Sequence, residues 1–412
     1  MSLPPAQTDA PATTRRLAAA LLIGTLGWNI PFSAATQVLL PATIADLAPA
    51  DKLHLFAVLT ATGAVVGLLA NIAFGACSDL TRSRWGARTP WVVGGGIGTA
   101  AMMLAAPHAG RILTLTLCWC LAITALNATV AALTAVVPDR VPAGRRAGIS
   151  AVVGLAILLG NAIGVLLGAP FVERHSAGFA VLAAIAVLFP LAAVLIAPDQ
   201  PNLDVPRPDR TAATFLRSLA PPRRMPDFYW ALWGRLLLVL GYFMIQTFQL
   251  YLLTDYVGLT ESRAAGVLAI NSVLFLAAAI AGTLAAGPWS DRIRRRKPFV
   301  IAASLIAVAA GIAPLLSPTI AGMTAFAVIG GLAFGSYYSV DTALMTEVLP
   351  SAHSRAKDLG FLNIANSGGQ VLAPVASTAM VALGFGFTPL FLASMLACAL
   401  GAVLIMPIRT VR

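Results

Sequence analysis

The sequence predicts an all-α membrane protein with twelve transmembrane helices in two six-helix bundles related by pseudo-two-fold symmetry. Three observations predict it. The 412 residues are 58% hydrophobic and only 10% charged, whereas a soluble domain carries about 25% charged residues. Twelve apolar runs are long enough to cross a bilayer, which takes about 20 residues. Matching residues recur at one fixed offset in the two halves of the chain.

The runs cover 17–45, 54–78, 90–108, 111–137, 147–171, 177–197, 228–256, 263–287, 298–316, 319–346, 358–383 and 388–408, here numbered spans 1 to 12. Span 1 follows Arg15 and Arg16, the flank of a twin-arginine signal, but far exceeds a signal core of about 7–15 residues. Most of the 35 glycines and 11 of the 27 prolines lie inside apolar runs, where lipid-embedded helices tolerate them. Residues 1–16 read as a disordered cytoplasmic tail, 17–197 as the first bundle, 198–227 as a cytoplasmic linker rich in Pro, Asp and Arg, and 228–408 as the second bundle.

Lys and Arg set the orientation. With the N-terminus inside, cytoplasmic segments hold 22 of the 27 basic residues, and the opposite loops hold Lys52, Arg111, Arg174 and Arg263. Positive charge collects on the cytoplasmic side, so both termini are expected there. The same bias accounts for the net charge of +11 without a nucleic-acid partner. Mean hydropathy of +0.85 agrees with an integral protein of the cytoplasmic or plasma membrane.

The repeat is read from five pairs 212 residues apart: Gln37 and Gln249, Gly75 and Gly287, Asp79 and Asp291, Pro138 and Pro350, Gly148 and Gly360. Two parallel six-span repeats form a transporter architecture, with the substrate between them near mid-membrane.

The loop after span 2, "GACSDLTRSRWGARTPWVVGGG", concentrates charge in a chain that has little. Gly75 and Asp79 are followed by Arg82, Arg84 and Arg88. The corresponding loop after span 8 carries Asp291, then Arg292, Arg294, Arg295, Arg296 and Lys297. An acid with arginines at a helix end makes a charge-assisted network, which latches one arrangement of two rigid bodies. Lipid headgroups are the alternative contact for each arginine. Asp139 at the end of span 4, and Glu347 and Arg355 beyond span 10, read as further latch groups.

Gly75-x-x-x-Asp79 with Arg82 and Gly86-x-Arg88 resembles the signature loop of the major facilitator superfamily. More narrowly, "SDLTRSRWGARTPWVVGG" is similar to the loop of the glycoside–pentoside–hexuronide symporters and their sucrose/proton symporter relatives. Ala87 stands where those relatives carry an arginine. The likeness extends to "LGWNIPFSAATQVLLPATIADL", "LNATVAAL" and "DTALMTEVLPSAHSRAKDLGFLNIANSGGQVLAPV", and so covers nearly the whole chain. It implies proton- or cation-coupled uptake of a neutral sugar or glycoside by alternating access. Export of a cationic or apolar small molecule is the alternative. Span 4 lacks the arginine of the sucrose/proton symporters, and span 2 offers only Asn71 and Asp79 where melibiose-type symporters place acids for sodium. The coupling ion, proton or sodium, therefore stays open.

Ionisable groups inside a span are costly and usually functional. Asp341 in "SYYSVDTALMTEVLP" is the candidate coupling residue, suited to take up and release a proton. Its alternative is a structural acid satisfied by Tyr337, Tyr338 or an arginine. Span 7 supplies Tyr242, Gln246 and Gln249, several of them on one face. With Trp28, Asn29 and Gln37 of span 1, Asn127 of span 4 and Tyr338 of span 10, they form the candidate substrate set. Aromatic rings suit the C–H face of a sugar and amides suit its hydroxyls. Helix packing by amides is the competing use. Tyr251 and Tyr256 read as interfacial belt residues. Arg235 is expected near the inner end of span 7, leaving no basic residue at mid-span, which counts against organic anions.

Cys77, Cys118, Cys120 and Cys398 lack disulfide-framework and zinc spacing and read as small core residues. Gly94–Gly98 lacks the Gly-Lys-Ser/Thr ending of a phosphate loop. No catalytic triad, metal cluster or cofactor motif is present, so an enzyme is not expected, and the chain is read as a monomer in the bilayer.

Overall fold

The computed structural model describes residues 11–142, 145–204, 226–293, 295–348, 365, 368–377, 379–380 and 387–408. Among them, eleven helices have the length and apolar composition to cross a bilayer: Thr14–Leu47, Lys52–Leu80, Thr89–His108, Ile112–Arg140, Gly148–Phe171, His175–Ile196, Pro226–Gln246, Glu261–Ile293, Lys297–Leu316, Ile320–Asp341 and Phe387–Ile405. They correspond to spans 1–10 and 12. Span 11 lies largely outside the described residues, with helix recorded at 368–377. No strand occurs among the described residues.

The apolar surface faces outward as lipid requires. Leu113, Leu117 and Leu121 stand exposed along one side of span 4, four residues apart as a single helix face demands. Cys77 is exposed and only Cys398 is fully buried, which corrects the expectation of four core cysteines. Much of the apolar environment here is bilayer, not protein interior.

Two more expectations are corrected. Helix begins at Pro11, inside the stretch expected to be disordered. Proline is accepted in a first helical turn, and Arg145 donates to the Thr14 hydroxyl at 2.5 Å, anchoring the start. Span 7 is not one continuous helix to Tyr256. It breaks after Gln246, resumes over Gln249–Tyr251, and ends in a π-helical turn, Leu252–Tyr256. Span 1 also contains a π-helical segment, Ala35–Leu39, between Pro31 and Pro41. Pro41 has no N–H to return to the preceding turn, so the register slips there.

Contacts group the chain into two compact units. The first comprises Met1–Ala35, Val66–Gly164 and His175–Pro208, and the second comprises Thr36–Val65, Val165–Arg174 and Asp209–Arg412. The grouping cuts across the sequence repeat at 36–65 and 165–174.

Each unit packs its helices through small residues, and the same neighbours recur. In the first unit, Gly27 meets Phe189 and Pro190 (spans 1 and 6), Gly67 meets Asn127 (2 and 4), Gly96 meets Ala186 (3 and 6), and Gly160 meets Asn29 (1 and 5). In the second, Gly241 meets Ser394 (spans 7 and 12), Gly282 meets Leu332 (8 and 10), Gly311 meets Met395 (9 and 12), and Gly369 meets Val239 (7 and 11). Adding six to each span number of the first set gives the second. Close approach of this kind is how helices associate in lipid, where apolar burial alone gives little drive.

Candidate functional site

In the first unit, Arg88 joins three helix ends. It caps the start of span 3, whose first turn carries Pro90. Its Nη2 donates to Asp79 Oδ1 and Asp139 Oδ2, each at 2.7 Å, and its Nε to Asp139 Oδ2 at 3.0 Å. Its Nη1 donates to the Ser78 hydroxyl. Burial works against the Arg88 charge, but the hydrogen bonds and charges of Asp139 and Asp79 outweigh it and hold the pKa above the ordinary arginine value.

The segment after span 6 completes this loop. Asp199 Oδ2 accepts the Arg88 backbone N–H at 3.1 Å. Asn202 accepts from Ser83 N–H at 2.9 Å and donates to the Thr81 carbonyl at 2.9 Å. Gly86 has φ +83°, and a Cβ there would lie 2.4 Å from the Asp199 carboxyl, so only glycine fits. Arg82 donates to the carbonyls of Asp79 and Thr81 at 3.1 and 3.0 Å. Gly75 has no neighbour within 4 Å of where a Cβ would stand; its carbonyl accepts from Ser78 at 3.0 Å.

The second unit repeats the arrangement in reduced form. Arg296 caps span 9 ahead of Pro298, donates to the Ser290 hydroxyl at 3.1 Å, and pairs with Asp291. Ser78 and Ser290 are 212 residues apart, like the aspartates beside them. Arg292, the residue singled out from the sequence, stands exposed at the end of span 8. Arg296 matches Arg88 because the second loop is shorter. The Glu347 side chain and Arg355 lie outside the described residues.

The second unit also holds a buried polar cluster on spans 7, 8 and 10. Arg235 Nη1 lies 3.2 Å from Asp341 Oδ2, with side chains 11% and 1% exposed. Arg235 is nine residues into the helix from Pro226, about 14 Å along its axis and close to half of a ~30 Å hydrocarbon core. This corrects the expectation that it sits at the inner end with no basic residue at mid-span. Its guanidinium lies 5.9 Å from the Tyr338 ring centre. The Tyr338 ring packs at a tilt against Phe334, with centres 4.4 Å apart, and Phe334 likewise against Tyr242 at 4.8 Å. Phe275 closes the aromatic wall, 5.8 Å from Tyr242. Gln246 Nε2 donates to the Tyr242 hydroxyl at 2.5 Å.

Several polar atoms in this cluster lack a partner: Arg235 Nε, Gln246 Oε1, Tyr337 Oη and Asp341 Oδ1. The Tyr337 hydroxyl lies beside the Asp341 carboxyl and in the field of Arg235. Buried polar groups are nearly always hydrogen-bonded, so these atoms are exceptions within the second unit.

Among the sequence-predicted residues, the structure brings together Tyr242, Gln246, Tyr338 and Asp341. Gln37 and Gln249 belong to the same unit, at the irregular parts of spans 1 and 7. Trp28 packs on the apolar core of the first unit. Asn29 is buried against Gly160, its Oδ1 without a partner. Asn127 accepts from Asn71 Nδ2 at 3.2 Å and donates to the Ile123 carbonyl. Tyr251 is buried, its hydroxyl donating to the Pro41 carbonyl at 2.8 Å, which corrects its reading as a belt residue. Sequence reasoning missed Arg235, Asp199 and Asn202. The signal for Arg235 was present: it is the one basic residue belonging to neither side in the orientation count.

The family described as MFS/sugar transport protein matches residues 49–358, three quarters of the chain. No curated protein sequence matches significantly. Among solved structures, the D-xylose–proton symporter matches with TM-score 0.68 and 13% identity over 96% of this chain and 98% of that one. A bacterial homolog of the human lysosomal transporter Spinster, in an inward-facing and occupied conformation, matches with TM-score 0.66 and 17% identity over 97% and 95%. These likenesses show the fold. With the paired six-span repeat and the signature loop built around Arg88, the chain is a membrane transport protein of the major facilitator superfamily and belongs to its MFS/sugar transport family.

Proposed function

We propose that the protein is a proton-coupled symporter of a neutral sugar or glycoside, with both termini cytoplasmic and repeats at 17–197 and 228–408. One observation carries this reading: a buried Arg235–Asp341 pair beside unpartnered polar atoms and an aromatic wall. An intramembrane ion pair is costly and is kept chiefly where it works. A proton reaching Asp341 breaks the pair and frees Arg235 donors for solute hydroxyls. Gln246 Oε1 accepts from another hydroxyl, while Tyr338 and Phe334 offer faces to the C–H surface. A proton suits this carboxylate better than sodium, because the adjacent guanidinium repels a metal cation but does not hinder protonation. An organic cation meets the same repulsion, which argues against cation export.

Arg235 itself favours one second reading, an organic anion such as a sugar acid that takes the place of Asp341. Uptake of labelled neutral sugars and sugar acids into proteoliposomes, with and without an inward proton gradient, tests both. Gradient-stimulated uptake of a neutral sugar supports the first reading and of an acid alone the second. Uptake of neither removes the proposal.

A further inference from the structure

We infer that Arg15, Arg16, Arg140 and Arg145 form a binding site for the phosphate headgroup of an anionic phospholipid, at the cytoplasmic ends of spans 1, 4 and 5. The inference takes its leaflet from the orientation proposed above and is independent of the transported solute. All the residues concerned belong to the first compact unit. Arg15 and Arg16 stand exposed on the turn before the apolar run of span 1. Arg140 ends the helix of span 4, and Arg146 opens the helix of span 5 with Arg145 just before it. The Thr14 hydroxyl accepts from Arg145 Nη1 at 2.5 Å, which draws the start of span 1 to the start of span 5. Leu17, Arg140 and Ala197 line one small cavity, which sets the same turn of span 1 beside the ends of spans 4 and 6.

The side-chain partners of these arginines are uncharged. Arg140 Nη1 donates to the Ala197 carbonyl at 3.1 Å. Arg146 donates to the carbonyls of Val141 and Pro138 at 3.0 and 2.9 Å. Among the described residues, none of these arginines forms an ion pair with a carboxylate. The neighbouring acids are engaged elsewhere: Asp79 and Asp139 pair with Arg88, and Asp199 accepts the backbone N–H groups of Arg88 and Gln200. A guanidinium carries five N–H donors in a fork that matches phosphate oxygens, and most of those donors remain available here. The charge bias of the loops does not by itself explain the arrangement. Orientation depends on how many basic residues a side carries, not on their convergence from separate helices or on a threonine that holds one of them. Leu17 follows Arg16 directly and begins the apolar run, so the arginines stand at headgroup depth. That depth favours a lipid over an acidic protein.

The test is lipid retention. Purified full-length protein in detergent is titrated with dioleoyl phosphatidylglycerol or dioleoyl phosphatidylcholine, and the lipids bound to the folded monomer are counted by native mass spectrometry. Wild type is expected to retain the anionic lipid in preference. Arg15→Gln with Arg16→Gln is expected to weaken the first binding event about thirtyfold, at about fivefold for each charge near the surface. Arg145→Gln, made separately, is expected to weaken it about fivefold, so the inference does not hang on one variant. Arg15→Lys with Arg16→Lys is expected to keep most of the affinity. Arg111→Gln with Arg174→Gln, on the opposite loops, is expected to leave it unchanged. Equal retention of the two lipids overturns the inference, as does undiminished retention in the glutamine variants. An equal loss in the Arg111 and Arg174 pair also overturns it, since net charge alone would then attract the lipid. Displacement of the lipid by millimolar inorganic phosphate assigns the arginines to a free anion and overturns the lipid.

Discussion

Arg235 and Asp341 face each other at 3.2 Å inside the second unit, with side chains 11% and 1% exposed. Neither is satisfied by that contact alone, since Arg235 Nε and Asp341 Oδ1 lack partners. Removing one member leaves an uncompensated buried charge, at a cost of about 3–5 kcal/mol, whereas neutralising both costs much less. Asp341→Asn and Arg235→Gln are therefore expected to lower the thermal stability of purified protein more than the double variant does. Melting curves in detergent check this. A double variant as unstable as the sum of the singles contradicts a coupled pair.

Arg88 makes four side-chain hydrogen bonds to Ser78, Asp79 and Asp139. Losing a buried charged donor of this kind costs about 1–3 kcal/mol. Arg88→Lys is expected to recover little, because an ammonium cannot reproduce the guanidinium fork. The sign of the pH dependence is fixed by its raised pKa. A cation stabilised in the folded state contributes fully below its unfolded pKa, so this contribution fades only in strongly alkaline solution. Melting of wild type and Arg88→Lys across neutral to mildly alkaline pH should run in parallel.

Asp199→Ala removes the acceptor for the Arg88 backbone N–H. The loop 81–88 is then held to the segment after span 6 by the Asn202 contacts without the Asp199 tie. Faster protease cleavage in that loop is expected, with little change in span stability. Unchanged cleavage contradicts the tie.

Two helical glycines separate close packing from an open helix face. A Cβ on Gly335 would stand 1.9 Å from the Ala279 carbonyl, while one on Gly75 would touch nothing within 4 Å. Gly335→Ala is expected to destabilise by about 1–3 kcal/mol through overpacking, and Gly75→Ala hardly at all. Equal melting temperatures for the two would refute the packing of spans 8 and 10 described above.

Much of this molecule was legible in its sequence. Hydropathy gave eleven of the spans seen, because backbone hydrogen bonds in lipid must close within each helix. The offset of 212 residues predicted the paired networks, and the structure adds Ser78 and Ser290 to them. Arg296 was overlooked in favour of Arg292 because a shorter loop breaks the offset. The break in span 7 was invisible, since no proline marks it. Amides were the least legible: Asn29 and Asn127 look alike in sequence, yet one lies against Gly160 and the other pairs with Asn71. Arg235 was misplaced because charge at a span's edge and charge at its middle differ by only a few residues.

The central claim, that the Arg235–Asp341 pair couples a proton to solute movement, is tested most directly by comparing two transport modes in the same proteoliposomes. Wild type and Asp341→Asn, loaded with the sugar that wild type takes up, are assayed for gradient-driven accumulation and for counterflow exchange. The account predicts that Asp341→Asn loses accumulation and retains exchange, because the solute still binds and the halves still rock but no proton is carried. Accumulation retained by Asp341→Asn at the wild-type level would contradict it and leave the pair a purely structural contact.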